Sequence, residues 1–381
     1  MKIVRFSIFL MTICYSCREN DQWDIDNPIS SSDALFETLG VLDSTTMYHS
    51  TAVAISADGN VIVGRSKGSH HIYEAYRWED GNMKSILNSG IPWVFGDMEV
   101  ADVSADGSII VGTGLVQMVM YNFEERGYRW ENNQIEILEG GAYNNNVTGI
   151  SSLGNLIVGS AGDRQTSFFP CYWQNSTFHS LDVDNLHSMT NEANGVNTVS
   201  GDGSIMTGSR LVKDQNGVIV SETVRWENNI PTRFSNYFVG SNFTSGYPTA
   251  ISKDATSIVG SGRTSSGQEA FRLKNGQVVG LGDLSGGIFS STPHDVSSNG
   301  SVIVGSSSTA GSTEDSAFIW TENAGIKNLQ ELLEDEYNIN FGDWKLTDAT
   351  AISANGKVIA GNAVSLSNSA RKVAWRVRFS D

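Results

Sequence analysis

Only three cysteines occur in 381 residues, at Cys14, Cys17 and Cys171. Cys14 falls inside an N-terminal apolar stretch and Cys17 just after it, so no disulfide framework is available to the rest of the chain. Cys171 lies inside a β-like run, where a buried, inert thiol is expected. Positive charge is also scarce: 25 Lys and Arg stand against 42 Asp and Glu, a net charge of -17. A surface of that sign repels phosphate backbones and anionic lipid, which excludes nucleic acid as a partner. Past the N-terminus no apolar run approaches the length of a membrane-spanning helix. The nucleophile elbow, the phosphate loop and the dinucleotide fingerprint are missing as well, so no common catalytic motif is present and no cofactor is expected.

What the chain does have is repetition. AVAISADGNVIVGRS begins at Ala52 and returns as ADVSADGSIIVGTG, TGISSLGNLIVGSA, NGVNTVSGDGSIMTGSR, TAISKDATSIVGSG, HDVSSNGSVIVGSS and TAISANGKVIAGNA. Each copy closes on a glycine: Gly64, Gly112, Gly159, Gly208, Gly260, Gly305 and Gly361, at gaps of 48, 47, 49, 52, 45 and 56 residues. A period near fifty made of short β-like runs points to a radial array such as a propeller.

The first unit divides into four strands. Thr51 to Ser56 is the first, and Asp58-Gly59 turns it into Asn60 to Ser66. Tyr73 to Trp78 is the third, and Asp80-Gly81 turns it into Met83 to Leu87. Asp-Gly and Asn-Gly pairs suit tight hairpins because they tolerate positive φ. Each turn offers one carboxylate at most, too few for a calcium site, and no metal is expected. Tryptophan recurs at the end of the third strand as Trp78, Trp130, Trp173, Trp226 and Trp320, with Leu273 and Val377 in the remaining units. Such regular recurrence places these side chains in the packing between units rather than in a sugar site.

The seventh unit ends at Asp381 without a fourth strand, while LFETLGVL at Leu35 to Leu42 matches the fourth-strand phrase VVGLGDL at Val278 to Leu284. The expected fold is therefore all-β: a seven-bladed β-propeller of four-stranded blades over residues 34–381, its ring closed by the N-terminal strand joining the last blade. Residues 1–16 read as an export signal, with Lys2 and Arg5 before the apolar Ile8 to Ile13. Their removal takes the net charge to -19. The Tyr15-Ser16-Cys17 junction resembles a bacterial lipoprotein box, with Cys17 as the lipidated residue and the polar residues 17–33 as a tether. An outer-membrane or cell-surface lipoprotein follows, with secretion or a periplasmic location as the alternative.

The repeat phrases resemble the HAF repeat family of extracellular repeats in bacteria. Glu269-Ala270-Phe271 and Ser316-Ala317-Phe318-Ile319-Trp320 match its middle phrase, and Gly280 to Gly287 matches its last. Units three, four and seven depart from the pattern at Cys171, Val224 and Trp375. The resemblance covers about Leu35 to Phe379 and implies a secreted or surface β-propeller, with no catalytic or ligand residues to carry over.

Chemistry has to be sought where the repeat fails. The loops between units hold Trp93, Phe95, Tyr143, Tyr237, Tyr247 and Trp344, aromatics that blade packing does not require. Such side chains on a concave rim suit sugar rings or peptide segments; the plainer reading folds them back over the loops as satellite clusters. Asp102 and Asp295, the latter beside His294, occupy a first-strand position held elsewhere by Ala54, Gly149, Gly195, Ala250 and Ala351. Paired carboxylates at a channel mouth would suit glycosidic acid/base work, and a backbone-capping role is the plainer reading. His70-His71 lacks a third ligand in view. The expectation is a monomeric, non-catalytic binding propeller whose partner is an extracellular glycan or envelope protein. The alternative is a glycan-active hydrolase or lyase using Asp102, Asp295 and His294.

Overall fold

The computed structural model describes residues 34–380 apart from 46–47, 69–72, 88–93, 120–121, 141–143, 163–167, 182–193 and 312. After β1 (Ala34–Gly40), the strands β2 (Ser50–Ile55), β3 (Val61–Lys67), β4 (Tyr73–Glu79) and β5 (Asn82–Ser85) pair in order as one antiparallel sheet. The β4–β5 turn has φ of 50° at Asp80 and 76° at Gly81. Asn132-Asn133, Asn175-Ser176, Asn228-Asn229 and Asn275-Gly276 repeat that doubly positive turn. Left-handed φ at both central residues matches the twist of the flanking strands, which is why Asn, Asp and Gly fill these positions.

The same four-strand order recurs throughout the described residues. Five sheets have four strands, and one of eight joins two such sets through the single parallel pair Gln268↔Ser290. In the last sheet, β1 is the outer strand. It runs antiparallel to Lys372–Phe379, from Ala34↔Phe379 to Gly40↔Ala374, beside Val358–Ser365 and Trp344–Ile352.

The closing glycine has a steric cause. Every first strand carries a β-bulge at the same place, for example between Ala52 and Ala54 opposite Gly64 and Val63. The bulge tips a carbonyl towards the glycine, so a Cβ on Gly64 would lie 1.9 Å from Thr51 O and one on Gly112 2.0 Å from Glu99 O. No side chain fits there. On the third strand, directly opposite that glycine, sits an aromatic ring in most sheets: Tyr76, Tyr128, Phe271, Phe318 or Trp375. Cys171 and Val224 take that place in the two sheets without one.

The serine that ends each first strand ties the turn. Ser56 Oγ donates to Asp58 Oδ1 at 2.6 Å and accepts from Val61 N–H at 2.9 Å; Ser104 and Ser200 repeat both bonds. The turn backbones also bond from sheet to sheet. Ala57 N–H donates to Ala105 O, Ala105 to Ser152, Ser152 to Gly201 and Gly201 to Lys253. Asp254 N–H then donates to Ser298 O, Ser298 to Ala354, and Ala354 to Ala57, all within 2.8–3.2 Å. The series returns to its starting residue.

Apolar clusters fill the spaces between neighbouring sheets. Trp78, Ile62 and Tyr76 pack with Val358, Ala360 and Ala374, while Val61, Val63 and Ile86 pack with Met98, Ile110 and Trp130. The recurring tryptophans are thus core: Trp173 is fully buried and Trp130, the most accessible, is 8% exposed. One helix, α1 (Leu329–Tyr337), caps the last two sheets with Leu329, Leu332, Leu333 and Tyr337 turned inward. Asn328 accepts from Gln330 N–H and Glu331 N–H at its start, and Asn338 ends it at φ 56°.

Candidate functional site

The first strands gather around a narrow axial cavity of about 130 Å³ that includes Asp102, Lys253, His294 and Asp295 in its lining. At three of the bulges the extra residue is a threonine that reaches the neighbouring sheet. Thr148, Thr249 and Thr350 donate their hydroxyls to the carbonyls of Val196, Pro293 and Ala52 at 2.6, 2.7 and 3.1 Å.

Asp102 and Asp295, one position past the bulge, also reach the neighbouring sheet, with opposite polarity. Asp102 Oδ1 accepts from its neighbour Val103 N–H at 2.8 Å, and Oδ2 accepts from Ile150 N–H of the next sheet at 3.1 Å. Asp295 accepts from Val296 N–H at 2.8 Å and from Ile352 N–H at 2.9 Å. Burial pushes the Asp295 carboxyl up to about 6, against the pull of Ile352 N–H and Lys253, and the charge of Asp102 adds slightly to the rise. His294 is held below its ordinary value by burial, and its Nε2 lies 3.3 Å from Ser306 Oγ. The sequence pairing of Gly195 with these positions needs correction. In that sheet the bulge falls between Val196 and Thr198, so Thr198 stands where Asp102 and Asp295 do. An irregular VNTVSGDG phrase hid the register.

Of the other candidates, Tyr237, Tyr247 and Trp344 lie at or near the rim where first strands start. Trp93, Tyr143, His70-His71 and Cys17 lie outside the described residues, and of Phe95 only its place in the strand Val94–Val103 is described. Tyr237 packs edge-on against Phe234, in a cluster with Phe238, Phe243 and Phe271. Trp344 stacks on Tyr48, ring centroids 6.2 Å apart, with the Arg371 guanidinium 4.8 Å from Tyr48 and 5.6 Å from Trp344. Tyr247 alone of the described candidates is open, at 47% exposure. Tyr337, the last residue of α1, and Phe341 just beyond it are buried in the same cluster.

Two open clefts on this rim escaped the sequence reading. One, of about 580 Å³, includes Asp97, Glu99, Glu125, Asn146 and Phe168. The other, of about 540 Å³, lies between the long hairpin Ile205–Lys213/Ile219–Glu227 and the start of Ser245–Ile251. There Glu222 is held between Arg233, 2.5 Å away, and Arg210, 3.4 Å away. Both clefts depend on strands that outgrow the repeat, a length signal visible in the sequence only as extra residues between units. Among the described residues no group of three or more His, Cys, Asp or Glu gathers as a metal site.

No family model matches this chain, and no curated protein matches it. Solved structures do. The β-propeller domain of the Trilobed protease from Pyrococcus furiosus, which has an open velcro topology, aligns over 85% of this chain and 93% of that one, with 8% identity and a TM-score of 0.53. A putative TolB from Agrobacterium tumefaciens aligns over 65% of this chain and 88% of that one, at 13% identity and a TM-score of 0.41. Four-stranded antiparallel sheets packed through their first strands, together with the first of these likenesses, define the fold as a β-propeller.

Proposed function

We propose that this chain is a closed seven-bladed propeller, exported and anchored to the cell envelope through Cys17, that binds an extracellular glycan or envelope protein at its rim without catalysis. Closure is supported by β1 pairing with Lys372–Phe379 and by the backbone series that leads from Ala354 back to Ala57. The lipoprotein-like junction and the HAF-like phrases support display outside the cytoplasm.

One observation carries the non-catalytic reading: both channel carboxylates already accept two backbone N–H groups each. They act as clips between sheets. An axial cavity of about 130 Å³ is also below the size of usual small-molecule sites, whereas the rim clefts of about 540 and 580 Å³ fall within it. The rival reading, a hydrolase or lyase, draws on the raised Asp295 carboxyl, which has the character of a general acid.

The test is to incubate the purified chain and its Asp295→Asn and Asp102→Asn variants with a glycan panel and with solubilised envelope proteins. Retained binding in both variants, with no glycan shortened, is the expected result. Glycan cleavage lost on Asp295→Asn would replace the binding reading with the enzymatic one. For the anchor, Cys17→Ser is expected to move the protein from the membrane fraction to the soluble one.

A further inference from the structure

We infer that the outer edge of the strand Ile219–Glu227 is a docking site for an extended, acidic segment of a partner protein, added to that sheet as a further strand. This rests on the rim-binding reading above and chooses protein over glycan. The strand pairs with Ile205–Lys213 along its whole length, from Ile205↔Glu227 to Lys213↔Ile219, but with Ile230–Arg233 only from Val224 to Glu227. At Phe234 the chain leaves the sheet as a 3-10 helix, so Ile219 to Thr223 have no strand beside them on that side. A row of unpaired backbone groups is a template for another chain.

Two observations fix which groups the edge presents. Asn228-Asn229 is a two-residue turn, so Glu227↔Ile230 is a hydrogen-bonded pair, and alternation directs the N–H and C=O of Thr223, Ser221 and Ile219 to the same outer side. On the inner side Asp214 N–H donates to Val218 O at 2.8 Å, which places Val218, Val220 and Glu222 in the opposite phase, bonded to Ile205–Lys213.

Other units cap the position that Thr223 holds. There the N–H groups of Gly127, Ala270 and Ala374 donate to Asn145 Oδ1, Ser291 Oγ and Ser50 Oγ, each from the following first strand. The capping residue lies two before the bulge, and in the first strand beside Thr223 that residue is Gly246, which has no side chain to offer. In the other long hairpin the edge is covered one step further, because Glu125 N–H donates to Asn144 Oδ1 at 2.9 Å. The edge at Ser221 has no such cover, and Ser221 and Val220 are exposed.

The cleft of about 540 Å³ runs along this edge. Val220, Ser221, Glu222 and Thr223 all line it. Consecutive side chains point to opposite faces of a strand, so a cleft that touches all four follows the edge rather than a face. An added strand would lie about 4.8 Å out, and Ser235, Phe238 and Thr244 to Gly246 wall the far side. With that wall opposite the edge, the cleft takes a single extended chain rather than the sheet edge of a second copy. Charge narrows the segment further. Glu222 lies between Arg210 and Arg233, Lys213 adjoins Asp214, and Arg263 pairs with Ser245 of the lining. Four cations against two carboxylates, on a chain of net charge -17, favour an acidic occupant.

The experiment selects short peptides from a random library on the immobilised full chain and measures their affinities, with a glycan array and solubilised envelope proteins run beside it. Each selected peptide is remade with alternate amides N-methylated and with its acidic residues replaced by lysine. Ser221→Pro removes the outward N–H while sparing the bonds to Ile205–Lys213; Asp102→Asn is the control, and each variant's melting is recorded. The expected result is acidic peptides that bind at least ten-fold more weakly after methylation of one alternate set of amides, after lysine replacement and in Ser221→Pro, and equally well in Asp102→Asn. Should Ser221→Pro melt early, the methylation arm on the unaltered chain decides. An empty selection, or peptides indifferent to methylation, overturns the edge as a site and leaves rim binding intact. Selection of basic peptides overturns the acidic class, and binding of glycans alone overturns the protein class while sparing the broader reading. Binding in none of the three arms overturns both.

Discussion

Ala354 donates its backbone N–H to the carbonyl of Ala57 at 3.0 Å, joining the last repeat to the first. The bond sits at the turn end of the first strands; β1 makes a second junction at the outer edge, where Phe36 packs 4.7 Å from Phe341 and 6.4 Å from Trp375. The Arg376 guanidinium pairs there with Glu37. Removing the Phe36 ring takes contacts from both the last sheet and α1. Phe36→Ala is expected to destabilise the protein by about 2 to 4 kcal/mol, read as a lower urea midpoint at unchanged slope. An unchanged midpoint would mean that β1 does not contribute to the cooperative fold.

The repeat glycines and the fifth turn predict opposite signs. Gly112→Ala sets a Cβ 2.0 Å from Glu99 O, a backbone atom that cannot move without opening the bulge. A loss of roughly 3 kcal/mol or more is expected from overpacking of that severity. Ala255 stands at φ 63° where Gly59, Gly107 and Gly203 occupy the same turn. Ala255→Gly relieves a left-handed alanine and should raise stability by about 0.5 to 1 kcal/mol. Differential scanning calorimetry of the pair distinguishes them by sign alone.

Acid and base act on different carboxylates. Hydrogen bonds from Ser104 Oγ and Ser108 N–H hold Asp106 below its ordinary 3.8, and Ser200 and Ser204 do the same for Asp202. Their ionised forms are favoured by folding, so their contribution is present above 3.8 and is lost as pH falls through the lower folded values. Asp295 and Asp348 are opposite: burial raises each to about 6. Between 3.8 and about 6 the folded chain holds protons that the unfolded chain has released, so stability falls as pH rises through that window. Asp348→Asn keeps an acceptor for Asn362 Nδ2 and should flatten the decline. Denaturant midpoints at pH 4.5, 5.5 and 7 provide the check; an unchanged slope in the variant would rule Asp348 out as a source.

Cys171 faces Gly159 from the third strand, fully buried, and burial pushes its thiol far above the ordinary cysteine range. Alkylation of the Cys171 peptide under native conditions should be negligible and should become rapid above the unfolding midpoint. Rapid native labelling, followed by mass spectrometry, would contradict the packing described.

The four-strand unit was legible because its signals are local. Asp80-Gly81 and Asn228-Asn229 mark turns by their own backbone preferences, and Trp78 and Trp226 mark the core by recurrence. The helix α1 left a readable trace too, an Asn328 cap before Leu329, Leu332 and Leu333 at helical spacing, yet it lies inside a loop that the repeat gave no reason to search. The pairing of Gly195 with Asp102 fails because the unit-four phrase is longer at its start; Asp102 and Asp295 lie ten residues before Gly112 and Gly305, and ten before Gly208 is Thr198.

Residue order alone determined the period, the turns, the core positions and the borrowed strand, since each depends on near neighbours or on repetition. Tertiary structure decided what the polar groups do. Asp102 and Asp295 became clips because Ile150 and Ile352 of other sheets bring N–H groups to them. Tyr247 stayed open while Tyr237 was packed away, and Glu222 met Arg210 across a hairpin of extra length. Burial and partnership are set by chain segments distant in sequence, and no local pattern encodes them.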